Sequence, residues 1–558
     1  MLSSHRPSVL SRRLSRRGVL KAAGAGASSL ALARCADGSG ENGPGSNGDE
    51  RDFLTPRGEP ETPQYGGRLN AGTATVFSGL DPQLCVDCYA VGAKFHGYLF
   101  SVDLRNQSID LQMAESFERI DELTYVWKLR PEIRFHDVDP TFGREVTAED
   151  IVYSMSRRRD EPSGQNDKQL LRDYTASFEA TDKYTFRLQT SRPYAPTVDE
   201  LGNPSYAIIP REAVEKWGDL RQNAAGCGAY ILEEFVRGER VRMRKNPNFY
   251  MEGRPYIEYR DLVVIPDEST ITQAFNTKQL DYYGGSQPNR MKVDQWKNIK
   301  GIVVRQGDNY WHRTFMLKVD RAPFNDIRVR KALDLALDRQ DFIDKMAFGD
   351  GKVAGPIVPD LRPWSLPQEE LREFYKLDLE TAKQLLSAAG YEDGLDVELK
   401  VQNVADLSRL CEIAKGQLAK ANIRCTLTLQ ELGVHLAQTL YPGNFTMTCY
   451  YNLPYTEPDR PLCQWFSKGQ AGISFSGYNN PEADEWIWKE RSEFDLEKRA
   501  QIVHEAQRFF MREHGPQIST ITDTGYGAYW EWLRGIDENL GRGGYLLLGV
   551  HEWLMPRS

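Results

Sequence analysis

Two cysteines three positions apart, Cys85 and Cys88, are the first residues in the chain whose spacing could support chemistry. A Cys-x-x-Cys pair can act as a redox dithiol or supply half of a zinc site. The flanking residues show no strand–helix–strand pattern, and the chain has no second Cys-x-x-Cys, so neither role is favoured. We expect a local disulfide here, or two buried thiols.

Two histidines beside acidic residues could bind a metal or act in hydrolysis. His136 precedes Asp137, but no second histidine lies nearby, so a turn histidine held by a carboxylate is the simpler interpretation. His504-Glu505 begins like the HExxH zinc motif, but Arg508 stands where the second histidine is required. The chain also lacks GxSxG, GxxxxGK[ST] and a spaced Cys/His ligand set. We therefore expect no catalytic site, no metal and no cofactor.

The body of the chain is acidic. Seven basic residues precede the first acidic one, Asp37, so residues 35–558 hold 63 basic and 79 acidic side chains, a formal charge of −16. Such a body repels nucleic acid and anionic lipid, and we expect no nucleic-acid partner. Because 558 residues exceed what one hydrophobic core usually holds, two or more lobes are expected.

The first 35 residues are typical of an export signal. Arg16 and Arg17 precede an Ala/Gly-rich run, 22–33, which is the order of a twin-arginine (Tat) signal. Two ends compete. Ala-Leu-Ala ending at Ala33 fits ordinary signal cleavage, whereas Leu-Ala-Arg-Cys resembles a lipobox that would be lipidated at Cys35. Either end places the protein in the periplasm or at the outer face of the cytoplasmic membrane.

Residues 36–66 predict a flexible tether, since they are rich in Gly, Pro, Ser, Asn and acidic residues and show no apolar periodicity. Beyond this tether no apolar run approaches the roughly 18 residues that a membrane span needs.

The stretch from 307 to 339 stands where one half of the chain passes into the other. An aromatic tip, 310–312, precedes a predicted strand at 314–319. A helix should follow, with Asn325 or Asp326 as its cap, because apolar residues recur there at helical spacing. Those apolar residues are Val329, Ala332, Leu333, Ala336 and Leu337.

Strands and helices alternate along the rest of the chain. Period-two alternation predicts half-buried strands at 124–129 and 395–401. Capped apolar periodicity predicts a helix at 379–389, with Asp378 before it and Gly390 after it. The sequence therefore predicts a mixed α/β fold without short internal repeats.

Several short motifs occur in a recognisable order across residues 80–481. They are Leu80-Asp81-Pro82, Trp127-Lys128-Leu129-Arg130, Phe135-His136-Asp137, Val146-Thr147-Ala148-Glu149-Asp150, Gly226-Cys227-Gly228-Ala229-Tyr230, Asn246-Pro247-Asn248-Phe249-Tyr250, Arg254-Pro255-Tyr256, Pro323-Phe324-Asn325-Asp326 and Tyr478-Asn479-Asn480-Pro481. With them the chain resembles the extracytoplasmic solute-binding proteins of ABC importers, in the peptide/dipeptide/nickel-binding family, family 5.

The resemblance implies an α/β, two-lobed clamp of the periplasmic-binding-protein type (class II, cluster C). Lobe I would comprise 67–305, with a small subdomain inserted at about 95–205. Lobe II would comprise 306–520, and 521–558 would return to lobe I. The solute would sit between lobes that rotate about a hinge of two crossings, the first near Tyr310, Trp311 and His312.

The resemblance also directs attention to the loop after the inner strand of lobe II. Peptide-binding members of the family place an aspartate there, which pairs with the α-ammonium of the ligand. If Glu457-Pro458 matches the acidic-Pro pair of the family, that position falls on Pro454, which carries no charge. Glu457 or Asp459 could substitute, but the sequence argues against a peptide with a free amine.

The remaining candidate ligand contacts are aromatic or neutral. They are Tyr310, Trp311, His312, Tyr450, Tyr451, Asn452 and Tyr455. Such groups suit a sugar-like, aromatic or weakly charged solute as well as a peptide backbone. Each aromatic ring could equally pack inside a lobe.

The sequence therefore predicts the solute-binding component of an ABC importer. It would capture an oligopeptide or another organic solute and deliver it, as a monomer, to permease subunits in the inner membrane. Two alternatives are an exported hydrolase and a clamp-type receptor or chaperone without transport.

Overall fold

The computed structural model describes residues 62–85, 88–103, 107–160, 169–284, 288–452, 457–467, 475–536 and 550–556. The predicted export signal with Cys35, most of the tether, and Tyr455 lie outside these residues. No helix in the described ranges is both long enough and apolar enough to cross a membrane.

The strands are numbered in chain order. They are β1 Arg68–Thr73, β2 Phe100–Asp103, β3 Ser108–Leu111, β4 Ala114–Arg119, β5 Thr124–Leu129, β6 Thr175–Asp182, β7 Thr185–Thr190, β8 Tyr230–Val236, β9 Arg240–Lys245, β10 Tyr259–Val264, β11 Tyr282–Gly284, β12 Ile302–Gly307, β13 His312–Leu317, β14 Gly351–Val353, β15 Leu395–Gln402, β16 Ile423–Gln430, β17 Met447–Asn452, β18 Gln517–Ser519, β19 Ile521–Asp523, β20 Gly525–Trp530, β21 Leu533–Arg534 and β22 Trp553–Leu554.

The helices follow the same convention. They are α1 Tyr89–Gly92, α2 Ala148–Asp160, α3 Thr197–Leu201, α4 Arg211–Trp217, α5 Glu268–Asn276, α6 Arg290–Trp296, α7 Ile327–Leu335, α8 Arg339–Met346, α9 Gln368–Phe374, α10 Leu379–Ala388, α11 Ala405–Ala419, α12 Leu432–Val434, α13 Asp459–Leu462, α14 Pro481–Ser492 and α15 Leu496–Arg512.

Two large mixed sheets organise these elements. Sheet I has seven strands in the order β12-β20-β11-β1-β10-β9-β8, with β1 parallel to both of its neighbours. Sheet II has five strands in the order β16-β15-β17-β13-β18, with β15 parallel to β16 and β17. Alternate residues of β15 are buried, as its sequence pattern predicted, and they pack with α7, α10 and α11 in one apolar core.

We call residues 95–205 the insert. They contain a four-stranded antiparallel sheet, β4-β5-β7-β6. Tyr125, Trp127 and Leu129 of β5 are buried in the core of the insert together with Ile151 and Met155 of α2. Thr147 and Asp150 stabilise the start of α2, since the Asp150 carboxylate accepts a hydrogen bond from the Thr147 backbone N–H (2.9 Å).

The predicted helix after the aromatic tip is divided in the structure. Asp326 caps α7, but this helix ends at Leu335, short of the predicted Arg339. The Asp338 carboxylate accepts from the Asp341 N–H (3.1 Å) and caps α8. An aspartate satisfies a helix start better than a helix interior, and this preference explains the break. Ala336 and Leu337 remain fully buried.

The cysteines and His136 have structural positions. Cys85 and Cys88 form the local disulfide that was one of the two expectations, whereas Cys227 is a buried free thiol. His136 is also buried, but its Nε2 meets the Gly228 carbonyl oxygen (3.0 Å). The expectation of a carboxylate-held turn histidine was wrong, because the fold brings a distant carbonyl to the ring.

Two neighbouring segments join sheet I to sheet II. The first crossing, 308–311, runs from β12 to β13. On the second path the chain leaves sheet II at β18 and passes through β19, which pairs with β14, and the second crossing, Thr524, then leads from β19 to β20. Gly307 and Gly525 are register partners at the ends of β12 and β20, so the crossings lie side by side. A Cβ on Gly525 would lie 2.9 Å from the Gly307 and Asp308 carbonyl oxygens, so this close approach requires glycine.

Candidate functional site

Several strands of sheet II end or begin on the side of the sheet that lies next to the crossings. The parallel strands β15, β16 and β17 all end at this edge, and the antiparallel strand β13 begins there at His312. In open α/β sheets, ligands bind beyond the carboxyl ends of the strands. Most of the aromatic residues singled out by the sequence lie at this edge, which we call the crossing edge.

Trp311 and Tyr451 meet at the crossing edge. Their ring centroids are 6.1 Å apart and their planes are perpendicular. The Trp311 side chain is 40% exposed, a large fraction for an indole beside a buried core. Tyr451 is half-buried, and its hydroxyl donates to Asp406 Oδ2 (2.6 Å). The pair therefore presents an aromatic face and a polar group to an incoming molecule.

Tyr310 and His312 are buried on either side of Trp311. Tyr310 packs in an apolar cluster with Leu361 and Trp364, and its hydroxyl donates to Asp308 (3.1 Å). Burial lowers the pKa of His312 to about 4, and the neighbouring Arg313 contributes, so the imidazole is neutral.

The tyrosine next to Tyr451 in the sequence lies among glutamines. The hydroxyl of Tyr450 donates to Gln464 Oε1 (2.5 Å) and accepts from Gln517 Nε2 (3.1 Å). Asn452 ends β17 as the register partner of His312. The partners of Tyr450, Gln464 and Gln517, are buried, whereas Trp311, the ring that contacts Tyr451, is exposed.

Arg313, which the sequence analysis did not single out, organises the crossing edge. Its guanidinium binds Asp406 (2.6 and 2.8 Å) and Asp523 (3.1 and 2.7 Å), each through two hydrogen bonds. Burial alone would raise the pKa of Asp406, but hydrogen bonds from Arg313 and Tyr451 lower it. The two carboxylates are 93 and 210 residues away in the sequence, so no local pattern indicated this group.

Glu457 and Asp459 lie elsewhere, in a fully buried charge cluster. Asp459 forms an ion pair with Arg491, and Glu457 accepts from Arg499 (3.0 Å). Glu490 also accepts from Arg499 (2.7 Å). We call these five residues the buried charge cluster. Both of the carboxylates that the sequence proposed as ammonium partners are therefore engaged by guanidinium groups.

The insert closes over the buried charge cluster. The Tyr194 hydroxyl donates to Asp459 Oδ2 (2.9 Å) and lies 2.6 Å from Glu200 Oε1. Tyr174 Oη contacts Arg491, and the Ala195 N–H donates to the Arg491 carbonyl oxygen (2.7 Å). These contacts join the insert to α13 and α14 without water-accessible space at Asp459 or Arg491.

Protonation of the acidic side chains follows from this burial. Burial raises the pKa of Glu490 to about 8, against the opposing effect of Arg499, and the adjacent Asp459 raises it further. Burial likewise raises the pKa of Glu200 to about 7. For Asp459, burial opposes ionisation, but the ion pair with Arg491 lowers the pKa. Burial also raises the pKa of Glu457 well above its ordinary value, so protons are held on Glu457 and Glu490 beside an ionised Asp459.

The described part of the chain contains no group of three or more His, Cys, Asp or Glu side chains placed to bind a metal ion.

The chain is similar in sequence to known proteins. Residues 108–473 match the family model described as bacterial extracellular solute-binding proteins, family 5 Middle. A curated relative, the glutathione-binding protein GsiB of Salmonella typhi, is 24% identical over 475 residues, covering 82% of this chain and 90% of the relative.

Solved structures share the fold. The periplasmic binding protein DppA from Helicobacter pylori, in complex with the peptide STSA, superposes with a TM-score of 0.76 at 20% identity, covering 88% of this chain and 98% of DppA. AgaA from A. tumefacien R10, in complex with agropinic acid, superposes with a TM-score of 0.76 at 21% identity, covering 88% and 99%. Both are two-lobed binding proteins, and the predicted fold class is confirmed.

Proposed function

Because the chain belongs to family 5 of the bacterial extracellular solute-binding proteins, we propose that it holds one organic solute at the crossing edge for an ABC importer. The chain is the solute-binding component, and permease subunits in the inner membrane would receive the solute. The observation that carries the choice of site is the exposed Trp311–Tyr451 pair at the strand ends beside both crossings.

We assign lobe I to 67–305 and 521–558, with the insert at about 95–205, and lobe II to 306–520. Sheet I and sheet II support this division, since β12 and β20 belong to one sheet and β13 and β18 to the other. The pairing of β19 with β14 favours a second boundary at Thr524, slightly later than 521. The two crossings beside Gly307 and Gly525 would form the hinge. Short paired connections suit rotation of two rigid bodies, because few backbone angles need to change.

The contact between the insert and the buried charge cluster would be the closing surface. Tyr194 and Asp459 come from different lobes in this division, and opening the clamp would separate them. The ion pairs of the buried charge cluster all lie within lobe II, so opening would leave them intact and expose them to water. A small free-energy difference between the two states lets a solute shift the population towards the closed one.

The proposed solute is one whose α-amino group needs no carboxylate partner from the protein. Glu457 and Asp459 are both buried against arginines, which supports this choice. Trp311 and Tyr451 would stack on a sugar-like, aromatic or amide group. Relatives are named for binding glutathione, a peptide and agropinic acid, so the fold accommodates varied organic solutes.

The remaining proposals concern the setting of the protein. We propose export through the Tat pathway, with either a lipid anchor at Cys35 or cleavage after Ala33, and action as a monomer; the twin arginine before an Ala/Gly-rich run supports the export. The homologues are binding proteins, and we propose that this chain likewise binds without catalysis.

A thermal-shift screen tests the solute class. The panel contains glutathione, Met-Leu, N-acetyl-Met-Leu, agropinic acid, simple sugars and Ni²⁺. We expect N-substituted or sugar-conjugated compounds to raise the melting temperature in a saturable manner, and Met-Leu to have little effect. A strong shift with Met-Leu would overturn the proposed solute class.

A further inference from the structure

Arg313 bridges two carboxylates that belong to separate elements of the crossing edge. It is the second residue of β13 and is 7% exposed. One edge of its guanidinium binds both oxygens of Asp406, and another binds both oxygens of Asp523. A planar fork with five donors can bind two carboxylates in this way, whereas a lysine ammonium cannot.

The two carboxylates contact different parts of the crossing edge. Asp406 lies in the first turn of α11 and accepts the Tyr451 hydroxyl (2.6 Å), so it holds the solute-facing ring. Asp523 is the last residue of β19, immediately before the second crossing. Its carbonyl oxygen accepts from Asn309 Nδ2 (2.9 Å), which belongs to the first crossing. Hydrogen bonds therefore run without interruption from Tyr451 to both crossings.

Without the guanidinium, this arrangement would not hold. Asp406 and Asp523 would then be two partly buried anions beside one another with no cation between them, and like charges that share a site repel. The main chain at Arg313 also contacts the residue between β18 and β19, because its carbonyl oxygen accepts from the N–H (3.2 Å) and hydroxyl (2.6 Å) of Thr520. The Arg313–Asp406 ion pair alone could stabilise lobe II. The second ion pair, with Asp523, adds a link to the second crossing.

We propose that Arg313 is a positioning residue. Through its guanidinium, contact of the solute with Tyr451 would change how rigidly the second crossing is held. The inference rests on the proposed function, since it takes Tyr451 as a solute contact and the crossings as the hinge. The effect does not require Arg313 to touch the solute. It requires that the hydroxyl of Tyr451 and the backbone of β19 are energetically coupled through one guanidinium.

A double-mutant cycle read by hydrogen exchange tests the coupling in the full, solute-free chain. Tyr451→Phe removes only the hydroxyl bond to Asp406, and Arg313→Met removes both bidentate pairs. We expect Tyr451→Phe to raise amide exchange across 521–525 by at least about twofold, the smallest coupling such cycles resolve. In the Arg313→Met background, Tyr451→Phe should add nothing there.

The controls separate positioning from general stability. Arg424→Met breaks another bidentate pair on sheet II, with Asp396 (2.7 and 2.9 Å), and should leave exchange at 521–525 unchanged. Arg313→Lys keeps the charge and should give an intermediate result if Arg313→Met does not fold. Additive effects of the Tyr451 and Arg313 changes, or no response at 521–525 to Tyr451→Phe, would overturn the proposal. Neither result bears on solute binding by the wild-type chain, which the thermal-shift screen measures separately.

Discussion

Tyr194 and Asp459 lie 265 residues apart in the sequence, yet the tyrosine hydroxyl donates a hydrogen bond of 2.9 Å to the Asp459 carboxylate. The same hydroxyl is 2.6 Å from Glu200, so it bridges an acid of the insert and an acid of the buried charge cluster. In the proposed division into lobes, this contact exists only when the clamp is closed.

Tyr194→Phe should therefore weaken closure. The change removes the bridging hydroxyl and leaves Asp459 with one donor fewer in a site without solvent, a loss of about 1–3 kcal/mol. We expect a larger radius of gyration by small-angle X-ray scattering and a lower melting temperature. Tyr184→Phe is the matched control, since its hydroxyl binds Glu145 (2.7 Å) within the insert and should not affect compactness. Equal scattering from both variants would contradict a closing role for Tyr194.

The stability of the closed state should depend on pH through Glu490. Its pKa is raised to about 8 from an ordinary value of 4.5, so the closed state binds a proton that a hydrated side chain releases. This stabilisation is complete below about pH 4.5 and is lost as the pH rises through about 8. The melting temperature should fall between pH 5 and pH 8. Glu490→Gln, which stays neutral, should reduce this dependence, and Glu200 and Glu457, whose pKa values burial also raises, should supply the remainder. An unchanged slope would contradict the assignment.

Gly525→Ala should disturb the paired crossings. Its methyl group would lie 2.9 Å from two carbonyl oxygens, so one crossing must move away, at a cost of about 1–3 kcal/mol. Gly527→Ala is the control, because a Cβ two residues further along the same strand meets nothing within 4 Å. Urea denaturation of both variants measures the difference. Equal midpoints would mean that the crossings are not held closely together in solution.

Trp311→Ala should lower solute affinity without lowering stability. The indole is exposed, and removal of an exposed side chain changes the free energy of unfolding by about 0.5 kcal/mol or less. Loss of a stacking face in a binding site typically reduces affinity by about tenfold or more. Isothermal titration with the panel compound that most stabilises the wild type gives the comparison, and Tyr441→Ala is an exposed aromatic control in lobe II. Unchanged affinity would remove Trp311 from the site.

The sequence predicted local structure better than the site. Alternation in β15 and helical spacing in α7 are properties of neighbouring residues, and both were confirmed apart from the early end of α7 at Leu335. The partners of Arg313 and Asp459 could not be predicted in the same way. They depend on which strands pair and which surfaces meet, and periodicity carries no information about partners about 100 to 265 residues away.

The acidic residues illustrate the same limit. Glu457 and Asp459 were candidates for binding a solute because the family resemblance implies an ammonium-binding aspartate in the loop after the inner strand of lobe II, and either residue could substitute for it. In the structure both are buried, because Arg491 and Arg499 lie on the inner face of α14 and α15. An arginine on the apolar face of a predicted helix indicates a buried acidic partner, but it does not identify that partner.

The central claim is that this chain binds one organic solute reversibly and does not alter it. The most direct measurement of reversible binding is a titration of the purified chain with the panel compounds, followed by tryptophan fluorescence. The bound compound is then released by denaturation and identified by mass spectrometry. We predict saturation at one solute per chain, with the compound recovered unchanged. Conversion of the compound to a product, or the absence of saturable binding by every compound of the panel, would contradict the claim.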